Sequence, residues 1–378
     1  MPFDIAFFGS SLVSSYWNGA ATYYRGIVRA MAARGHRVTF YEPDAYERQQ
    51  HRDIPDPPWA KVVVYAAEPS QVRAALAQAA GAQVIIKASG VGVFDAWLEE
   101  NVVDLRTLTH GRERRVIFWD VDAPATLDRV NGAPSDPFRA LIPAYDAVFT
   151  YGGGTPVVDA YLRLGARACV PIYNALDPAT HFPEPADPRF RGCLGFLGNR
   201  LPDREKRVEE FFLGPAAAHP AETFVLGGAG WEDKRMPANV RHVGHVYTRD
   251  HNRFNASARA ILNVNRESMA RYGHSPATRL FEAAGAGACL ITDAFAGIER
   301  FLEPDREVLI ANDGSEVSRH LDRLTPERAR AIGAAARARV LTEHTYDHRV
   351  AEVEDVLNRL LLEDEAGDID AATAGGCA

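Results

Sequence analysis

The sequence is poor in cysteine and has no excess of positive charge. Its 378 residues include four cysteines, and none of them forms a Cys-x-x-Cys pair. A disulfide framework or a zinc knuckle needs more closely spaced cysteines, so neither is expected. The formal net charge of -8 provides no positive field that would attract a nucleic acid or an anionic membrane surface. We therefore expect a cytoplasmic protein in a reducing compartment, without a nucleic-acid partner.

Long hydrophobic runs are also missing. No apolar stretch approaches the roughly 20 residues that a membrane-spanning helix needs. Residues 1–12 lack the cationic flank of a secretion signal, which also argues against a two-lobed periplasmic binding protein. Hydrophobic residues make up 47% of the chain and charged residues 24%, an ordinary globular composition. The chain length predicts two domains.

Short apolar segments alternate with amphipathic segments in the N-terminal half. A strand over residues 3–8 is followed by a helix over 20–34, which ends at Gly35, and by a strand over 37–41. This order predicts a parallel sheet of the Rossmann type. Further strands of this predicted domain, which spans residues 1–173, cover residues 62–65, 84–87, 116–119, 147–150 and 168–172.

A second Rossmann-like domain is predicted over residues 193–362, after a proline-rich hinge at 174–192. Helices are expected over 203–212 and 276–286, and the chain is expected to be helical from 316 to about 362. Residues 363–378 are acidic and then small, which predicts a disordered tail. The predicted strands of this half cover residues 194–197, 223–226, 240–242, 260–264, 289–292 and 308–310.

A candidate anion site lies at the start of the helix predicted from residue 276. Open α/β sheets bind ligands in the loops that follow their strands. Ser275 and Pro276 suit the N-cap and first helical positions, which would leave the N–H groups around Ala277 and Thr278 available to a diphosphate. Arg279 would add a charge-assisted contact. The alternative is an ordinary capped helix.

Glu282 lies on the same predicted helix among small residues. A carboxylate at a closely packed position needs a partner. It can accept hydrogen bonds from two ribose hydroxyls, or it can pair with Arg279 three residues earlier. The residue spacing leaves both interpretations open.

Two runs carry a resemblance to a known family. Residues 279–293, Arg-Leu-Phe-Glu-Ala-Ala-Gly-Ala-Gly-Ala-Cys-Leu-Ile-Thr-Asp, preceded by Leu-Asn-Val-Asn-Arg at 262–266, resemble the C-terminal domain of GT-B glycosyltransferases, especially the CgeB-like (spore maturation protein) group. Residues 23–44 are similar to the same group, so the resemblance spans most of the chain. It implies two Rossmann-like domains facing a central cleft, with a helical C-terminus.

The resemblance also implies an activity, which is the transfer of a sugar from a UDP-, GDP- or TDP-linked donor to a small-molecule, glycan or protein acceptor. Neither a metal nor another cofactor is expected. Glu282 would hold the ribose, and the turn from Ser275 to Thr278 would bind the diphosphate. The other implied donor-binding residues are Gly198, Asn199, Arg200, Gly230, Trp231, Tyr247 and Arg266, with a core position as the alternative for Trp231.

One position departs from the retaining GT-B pattern. That pattern has a second glutamate eight residues before the ribose-binding one, and here His274 occupies this place. A histidine can hydrogen-bond the donor sugar or phosphate, so His274 is kept as a donor-binding candidate. Whether the anomeric configuration is retained or inverted is left open.

The N-terminal half contains candidates for catalysis and acceptor binding. An inverting transfer needs a general base, and Asp120 and Asp122 directly follow a predicted buried strand. Helix capping is the alternative role for these two aspartates. Ser11, Trp17 and Asn18 lie in the loop after the first strand and are candidates for acceptor binding, although Trp17 also suits packing between loops.

Other functions are weighed against glycosyl transfer. A nucleotide-sugar epimerase of the same fold, or a non-catalytic sugar-nucleotide binding protein, would share the donor site. An NAD-dependent enzyme is a weaker alternative. Its main support is Glu42 at the end of the second strand, and the turn at Gly9 lacks the Gly-x-Gly-x-x-Gly pattern.

Overall fold

The computed structural model describes residues 2–16, 18–106 and 114–374, with side chains as far as residue 361. The chain divides into two compact units, one formed by Met1–Tyr173 with Tyr346–Ala378 and the other by Asn174–Thr345. One unit boundary lies after Tyr173, where the first predicted domain also ends. The predicted second domain, 193–362, differs at both ends, because the proline-rich segment belongs to the second unit and the last helix to the first.

The first unit contains a seven-stranded parallel sheet in the order β3-β2-β1-β4-β5-β6-β7. Its strands are β1 (Asp4–Phe8), β2 (Arg37–Asp44), β3 (Lys61–Ala66), β4 (Val84–Ala88), β5 (Arg115–Asp120), β6 (Ala147–Thr150) and β7 (Cys169–Pro171). Its helices from this part of the chain are α1 (Ala21–Ala33), α2 (Pro69–Ala79), α3 (Asp95–Asp104), α4 (Ala123–Gly132), α5 (Pro137–Leu141) and α6 (Gly154–Arg163).

The central strands of this sheet are buried along their whole length. Every residue of β4 and of β5 is buried, as expected for parallel strands covered by helices on both faces. Aromatic side chains fill the space above the sheet, where Phe7 stacks on Phe40 with ring centroids 5.1 Å apart. Trp119 lies 5.7 Å from Phe7 and donates its indole N–H to the Tyr23 hydroxyl. This packing fixes the carboxyl ends of the strands, where the loops begin.

The second unit contains a six-stranded parallel sheet in the order β10-β9-β8-β11-β12-β13. Its strands are β8 (Gly192–Leu197), β9 (Phe224–Gly227), β10 (Val240–His242), β11 (Ala258–Asn263), β12 (Leu290–Asp293) and β13 (Leu309–Ala311). Its helices are α7 (Pro202–Val208), continued by a π-helical turn at Glu209–Leu213, then α8 (Gly214–Ala218), α9 (His251–Ser257), α10 (Glu267–Tyr272), α11 (Thr278–Gly285), α12 (Gly314–Arg323) and α13 (Pro326–Glu343).

The final helix, α14 (Tyr346–Ala374), packs on α1 and completes the first unit. A Cβ atom at Gly26 of α1 would lie 2.1 Å from the Tyr346 ring, so only glycine permits this close approach. Glu354 accepts hydrogen bonds from Arg34 at 2.6 Å and lies 2.8 Å from the Nε2 atom of His36. These contacts explain why residues 346–362 are not part of the second unit. The backbone of α14 is helical as far as Ala374, in the segment where the sequence predicts a disordered tail from Glu363.

Candidate functional site

Helix α11 starts at a different residue from the one predicted. Its N-cap is Ala277, whereas Ser275 donates its hydroxyl to the Gly273 carbonyl at 2.9 Å and does not cap the helix. The segment before the helix is held by Asn174, which donates to the Pro276 carbonyl at 3.0 Å and accepts from the Thr278 hydroxyl at 3.1 Å. The sequence gives no signal for this role of Asn174, because Asn174 is distant along the chain from Pro276 and Thr278.

The new helix start still suits an anion. Among the described residues no side chain caps α11. The N–H groups of Thr278 and Arg279 belong to the first turn, so they have no acceptor within the helix. Such N–H groups and the positive end of the helix dipole together favour a phosphate oxygen. The N-cap therefore lies two residues later than predicted, and the anion site at the first N–H groups of the helix stays a prediction.

Arg279, in the first turn of α11, and Arg266 both repel the guanidinium of Arg204. Arg204 of α7 lies over the Phe196 ring, and its Nη2 atom donates to the Asn199 carbonyl at 2.5 Å. Burial, together with the positive charges of Arg279 and Arg266, lowers the pKa of Arg204 to about 10 against the opposing effect of Asp203. Mutually repelling guanidinium groups of this kind are stabilised by a bound anion.

Arg204 was not among the residues predicted from the sequence. The available signal was its place in the first turn of a helix that follows the post-strand loop at 198–200. Arg266, which was predicted, donates to Asp203 at 2.5 Å. The structure thus brings one unpredicted arginine together with two predicted ones.

Glu282 is 5% exposed and takes part in the ion pair that the sequence left as an alternative to ribose binding. Its Oε2 atom lies 2.9 Å from Nη1 of Arg279, and its Oε1 atom lies 3.7 Å from Nε2 of His181. Burial lowers the pKa of His181 and takes that of His251 to about 3, so both rings are neutral near pH 7. Ribose binding by Glu282 stays a prediction.

The same carboxylate belongs to a group with metal-ligand chemistry. Ligand atoms of His181, His251 and Glu282 all lie within 4.8 Å of one another. Neutral imidazole and carboxylate are ligands that zinc accepts. The guanidinium of Arg279, already paired with Glu282, opposes a second positive charge at this point. The sequence did not indicate this trio because its members come from three separate segments.

The loop after β8 is built by close backbone packing. The indole N–H of Trp231 donates to the Gly198 carbonyl at 2.8 Å, and Asn199 accepts from the Ala229 N–H at 3.0 Å. Gly228 has a φ of 128°, and a Cβ atom there would lie 2.2 Å from the Gly198 oxygen. Trp231 is 1% exposed and belongs to the hydrophobic core, which favours the core position over the predicted place beside the nucleotide base.

Other predicted donor-binding residues lie at or near the surface. Arg200 is bonded to Glu205 and to Asp233, each at 2.8 Å. Tyr247 is 57% exposed, and the guanidinium of Arg249 lies 5.5 Å from its ring centroid. An exposed aromatic ring of this kind can stack on a base. Their roles, and that of Gly230 beside Arg200, stay predictions.

His274 has a strained backbone. Its φ of 46° lies in the left-handed region, which residues other than glycine seldom adopt. Its N–H donates to the Ala296 carbonyl at 2.6 Å, and its ring occupies the space that a Cβ atom at Gly297 would fill, 2.1 Å from Nδ1. Strain of this kind persists where the surrounding structure fixes a side chain, often at functional positions.

In the first unit, the two candidate bases differ sharply in accessibility. Asp120 is fully buried and accepts hydrogen bonds from Ser89 at 2.8 Å and from Tyr161 at 2.5 Å. Burial raises its pKa, although these hydrogen bonds act in the opposite direction. Asp120 therefore orders the loop, and its burial argues against its predicted role as a general base. Asp122 is half-buried at the start of α4 and stays a candidate base.

The predicted acceptor loop is held together by its own hydrogen bonds. Ser11 donates to Glu42 at 3.0 Å, and buried Asn18 accepts from the Ser10 hydroxyl at 2.9 Å. These contacts give Ser11 and Asn18 a structural role in the loop and do not show an acceptor role. Trp17 lies outside the described residues. Glu42 is fully buried within this network, which removes the support that it lent to an NAD enzyme.

Comparison with known proteins agrees with the fold and the class of enzyme. Residues 204–355 match the family model described as glycosyl transferase-like. No curated protein matches the sequence. No helix in the part of the chain that the structure describes has the length and apolar character needed to cross a bilayer.

Solved structures share the fold over nearly the whole chain. Sucrose-phosphate synthase from Thermosynechococcus elongatus has a TM-score of 0.69 at 15% identity, covering 95% of this chain and 100% of that one. HepE of Anabaena, in complex with UDP-glucose, has a TM-score of 0.67 at 11% identity, covering 94% and 100%. An alpha-glucosyltransferase in complex with UDP and DNA has a TM-score of 0.69 at 10% identity, covering 95% and 100%.

These comparisons confirm the GT-B fold, with its two parallel Rossmann-like sheets and helical C-terminus. The family model confirms the predicted glycosyltransferase class for residues 204–355.

Proposed function

We propose that this protein is a glycosyltransferase that binds a nucleoside diphosphate sugar on its second unit. The observation that carries the proposal is the arginine cluster, Arg204, Arg266 and Arg279, at the uncapped start of α11. The three guanidinium groups, of which two are also paired with Asp203 and Glu282, and the first-turn N–H groups of α11 together suit the two phosphates of such a donor. The match of residues 204–355 to a glycosyl transferase-like family supports this assignment.

The rest of the donor site follows from the same helix. Glu282 is one turn beyond the helix start, where its carboxylate would accept from the ribose hydroxyls. Tyr247 provides an exposed aromatic face for the base, and UDP-, GDP- and TDP-linked sugars are all considered as donors. The structural neighbour HepE has been solved in complex with UDP-glucose and with UDP, which makes a UDP-linked sugar the first donor to test.

Catalysis is proposed to need no metal ion. In an inverting transfer, Asp122 accepts the proton of the acceptor hydroxyl as the oxygen attacks the anomeric carbon, and the bond to the diphosphate breaks. The N–H groups of Thr278 and Arg279 and the guanidinium groups stabilise the negative charge of the leaving diphosphate. His274 hydrogen-bonds the donor at the place where the retaining pattern has a carboxylate.

Three finer assignments are part of the proposal. The similarity of residues 23–44 and 279–293 to CgeB-like proteins supports placement in that group. The net charge of -8 supports an acceptor other than nucleic acid. A cytoplasmic location is supported by Cys169, Cys193 and Cys289, which are buried free thiols among the described residues.

The test is incubation with a panel of UDP-, GDP- and TDP-sugars, with and without candidate acceptors. Nucleotide release that depends on an acceptor supports transfer. Conversion of an intact donor to its epimer would instead assign a nucleotide-sugar epimerase, and binding without reaction would assign a sugar-nucleotide binding protein. The anomeric configuration of the product, read by nuclear magnetic resonance, then establishes whether the transfer inverts.

A further inference from the structure

A cavity with a buried positive charge lies within the first unit. It has a volume of about 550 Å³ and is lined by Tyr46, Glu47, Arg48 and Gly92. The first three residues follow β2, and Gly92 follows β4. The cavity is therefore at the carboxyl edge of the sheet, where open α/β sheets bind ligands.

Arg48 is buried but uses only part of its hydrogen-bonding capacity. The residue is 7% exposed, and its Nη1 atom donates to the Ser10 carbonyl at 3.1 Å and to the Val91 carbonyl at 3.5 Å. Within the described part of the chain its Nε atom has no acceptor. Burial lowers its pKa, against the opposing effect of nearby acidic groups. A buried cation in this state favours a bound anion.

The carboxylates that act on Arg48 are bonded to other donors. Both Glu42 and Asp95 attract it electrostatically, yet the structure shows no hydrogen bond from Arg48 to either one among the described residues. Asp95 is 2.6 Å from Lys87, and Glu42 accepts from the Gln49 amide at 2.6 Å. The N–H groups on Nε and Nη2 of Arg48, which donate to no residue in the described part of the chain, are consequently left for a ligand.

Tyr46 forms a wall of the cavity and is held in an unusual conformation. It is 56% exposed, and both Tyr46 and Glu47 have left-handed backbones, with φ values of 56° and 58°. The Tyr46 hydroxyl donates to the Gly92 carbonyl at 2.7 Å, and a Cβ atom at Gly92 would lie 2.7 Å from the Tyr46 ring. Arg48 lies 5.0 Å from the ring centroid. Consecutive strained residues that hold an exposed aromatic ring beside a cation point to a binding function.

We propose that this cavity is the acceptor site and that it takes a sugar carrying an acidic group. The N–H groups of Arg48 would bind its carboxylate or phosphate, and the Tyr46 ring would pack on a face of the sugar. Glu47 lies at the exposed rim, with 64% of its side chain accessible, so solvent screens its negative charge. This assignment rests on the proposed glycosyl transfer and specifies the acceptor class.

The test measures binding of glucuronate, glucose 6-phosphate and glucose by calorimetry to the full chain and to two variants. Arg48→Gln removes the charge but keeps a donor for the Ser10 carbonyl. Arg73→Gln removes the charge of an exposed arginine on α2 and is the matched control. We expect at least one acidic sugar to bind more tightly than glucose, and Arg48→Gln to weaken that binding about tenfold to a hundredfold. Arg73→Gln should leave it unchanged.

Comparison of the two acidic sugars distinguishes a carboxylate site from a phosphate site. Failure of both to bind, binding no tighter than that of glucose, or binding that survives Arg48→Gln would overturn the proposal. UDP titration of the same proteins separates this result from the proposed donor site. UDP binding without acidic-sugar binding refutes only the acceptor assignment, and the reverse result refutes only the donor assignment. Equal melting temperatures of the variants and the unmodified protein exclude misfolding.

Discussion

Replacing Arg204 by methionine should weaken nucleotide binding without destabilising the ligand-free protein. Methionine keeps an unbranched side chain over the Phe196 ring and removes the charge that Arg266 and Arg279 repel. For most buried arginines the opposite is expected, because their removal leaves a partner charge unpaired and lowers stability. The combination of weaker binding and maintained stability therefore tests whether Arg204 serves a ligand.

The magnitudes follow from the pKa of Arg204. Lowering it from 12.5 to about 10 disfavours the charged form by about 3 kcal/mol. Because a base with a depressed pKa is destabilising while it is charged, this cost applies throughout the pH range below about 10. Removing the charged group relieves this cost, but losing its hydrogen bond to the Asn199 carbonyl offsets about 1.5–3 kcal/mol of that stabilisation. The net change in unfolding free energy is then between about zero and 1.5 kcal/mol in favour of the variant.

The assay combines melting curves of the ligand-free protein with calorimetric titration of UDP. We expect an unchanged or raised melting temperature and a dissociation constant for UDP that is about tenfold to a hundredfold higher. Uridine, which lacks the phosphates, should bind equally to both proteins. Arg306→Met, at an exposed arginine paired with Glu303, is the control and should change neither quantity. A lower melting temperature together with unchanged UDP affinity would refute the reasoning.

Three further predictions concern packing, catalysis and ribose recognition. Gly26→Val should reduce the free energy of unfolding by about 1–3 kcal/mol, because the larger side chain overpacks against Tyr346, and so should lower the melting temperature. Gly132→Ala, which has open space around it, should leave the melting temperature unchanged. Asp122→Asn should lower turnover about a hundredfold or more with UDP affinity retained, and full activity would exclude it as the base. Glu282→Gln should weaken UDP at least about tenfold but leave 2′,3′-dideoxy-UDP unaffected; equal loss for both ligands would instead assign Glu282 to positioning Arg279.

The strands were predictable because their signal is local. In β5, for example, every residue is buried between two helical layers, so the segment is almost continuously apolar. The cap of α13 was predictable for the same reason, since Thr325 accepts from the Arg328 N–H at 3.2 Å within one turn, next to Pro326.

Features that depend on distant partners were not predictable. The start of α11 is set by Asn174, and the place of α14 depends on the fit of Tyr346 against Gly26. The sequence leaves Trp231 as either a core or a site residue, because its bond to the Gly198 carbonyl joins segments that are distant along the chain. Asp120 and Asp122 are two residues apart, and only the packing around Asp120 distinguishes their accessibility.

The most direct test of the central claim is a calorimetric comparison of nucleoside diphosphates with their nucleosides. We propose that the arginine cluster and the N–H groups of α11 contact only the phosphates of the donor. UDP, GDP or TDP should therefore bind at least about a hundredfold more tightly than uridine, guanosine or thymidine, and rising salt should weaken the tighter binding. Equal affinity of a diphosphate and its nucleoside, or no binding of any diphosphate, would contradict a donor site at the start of α11.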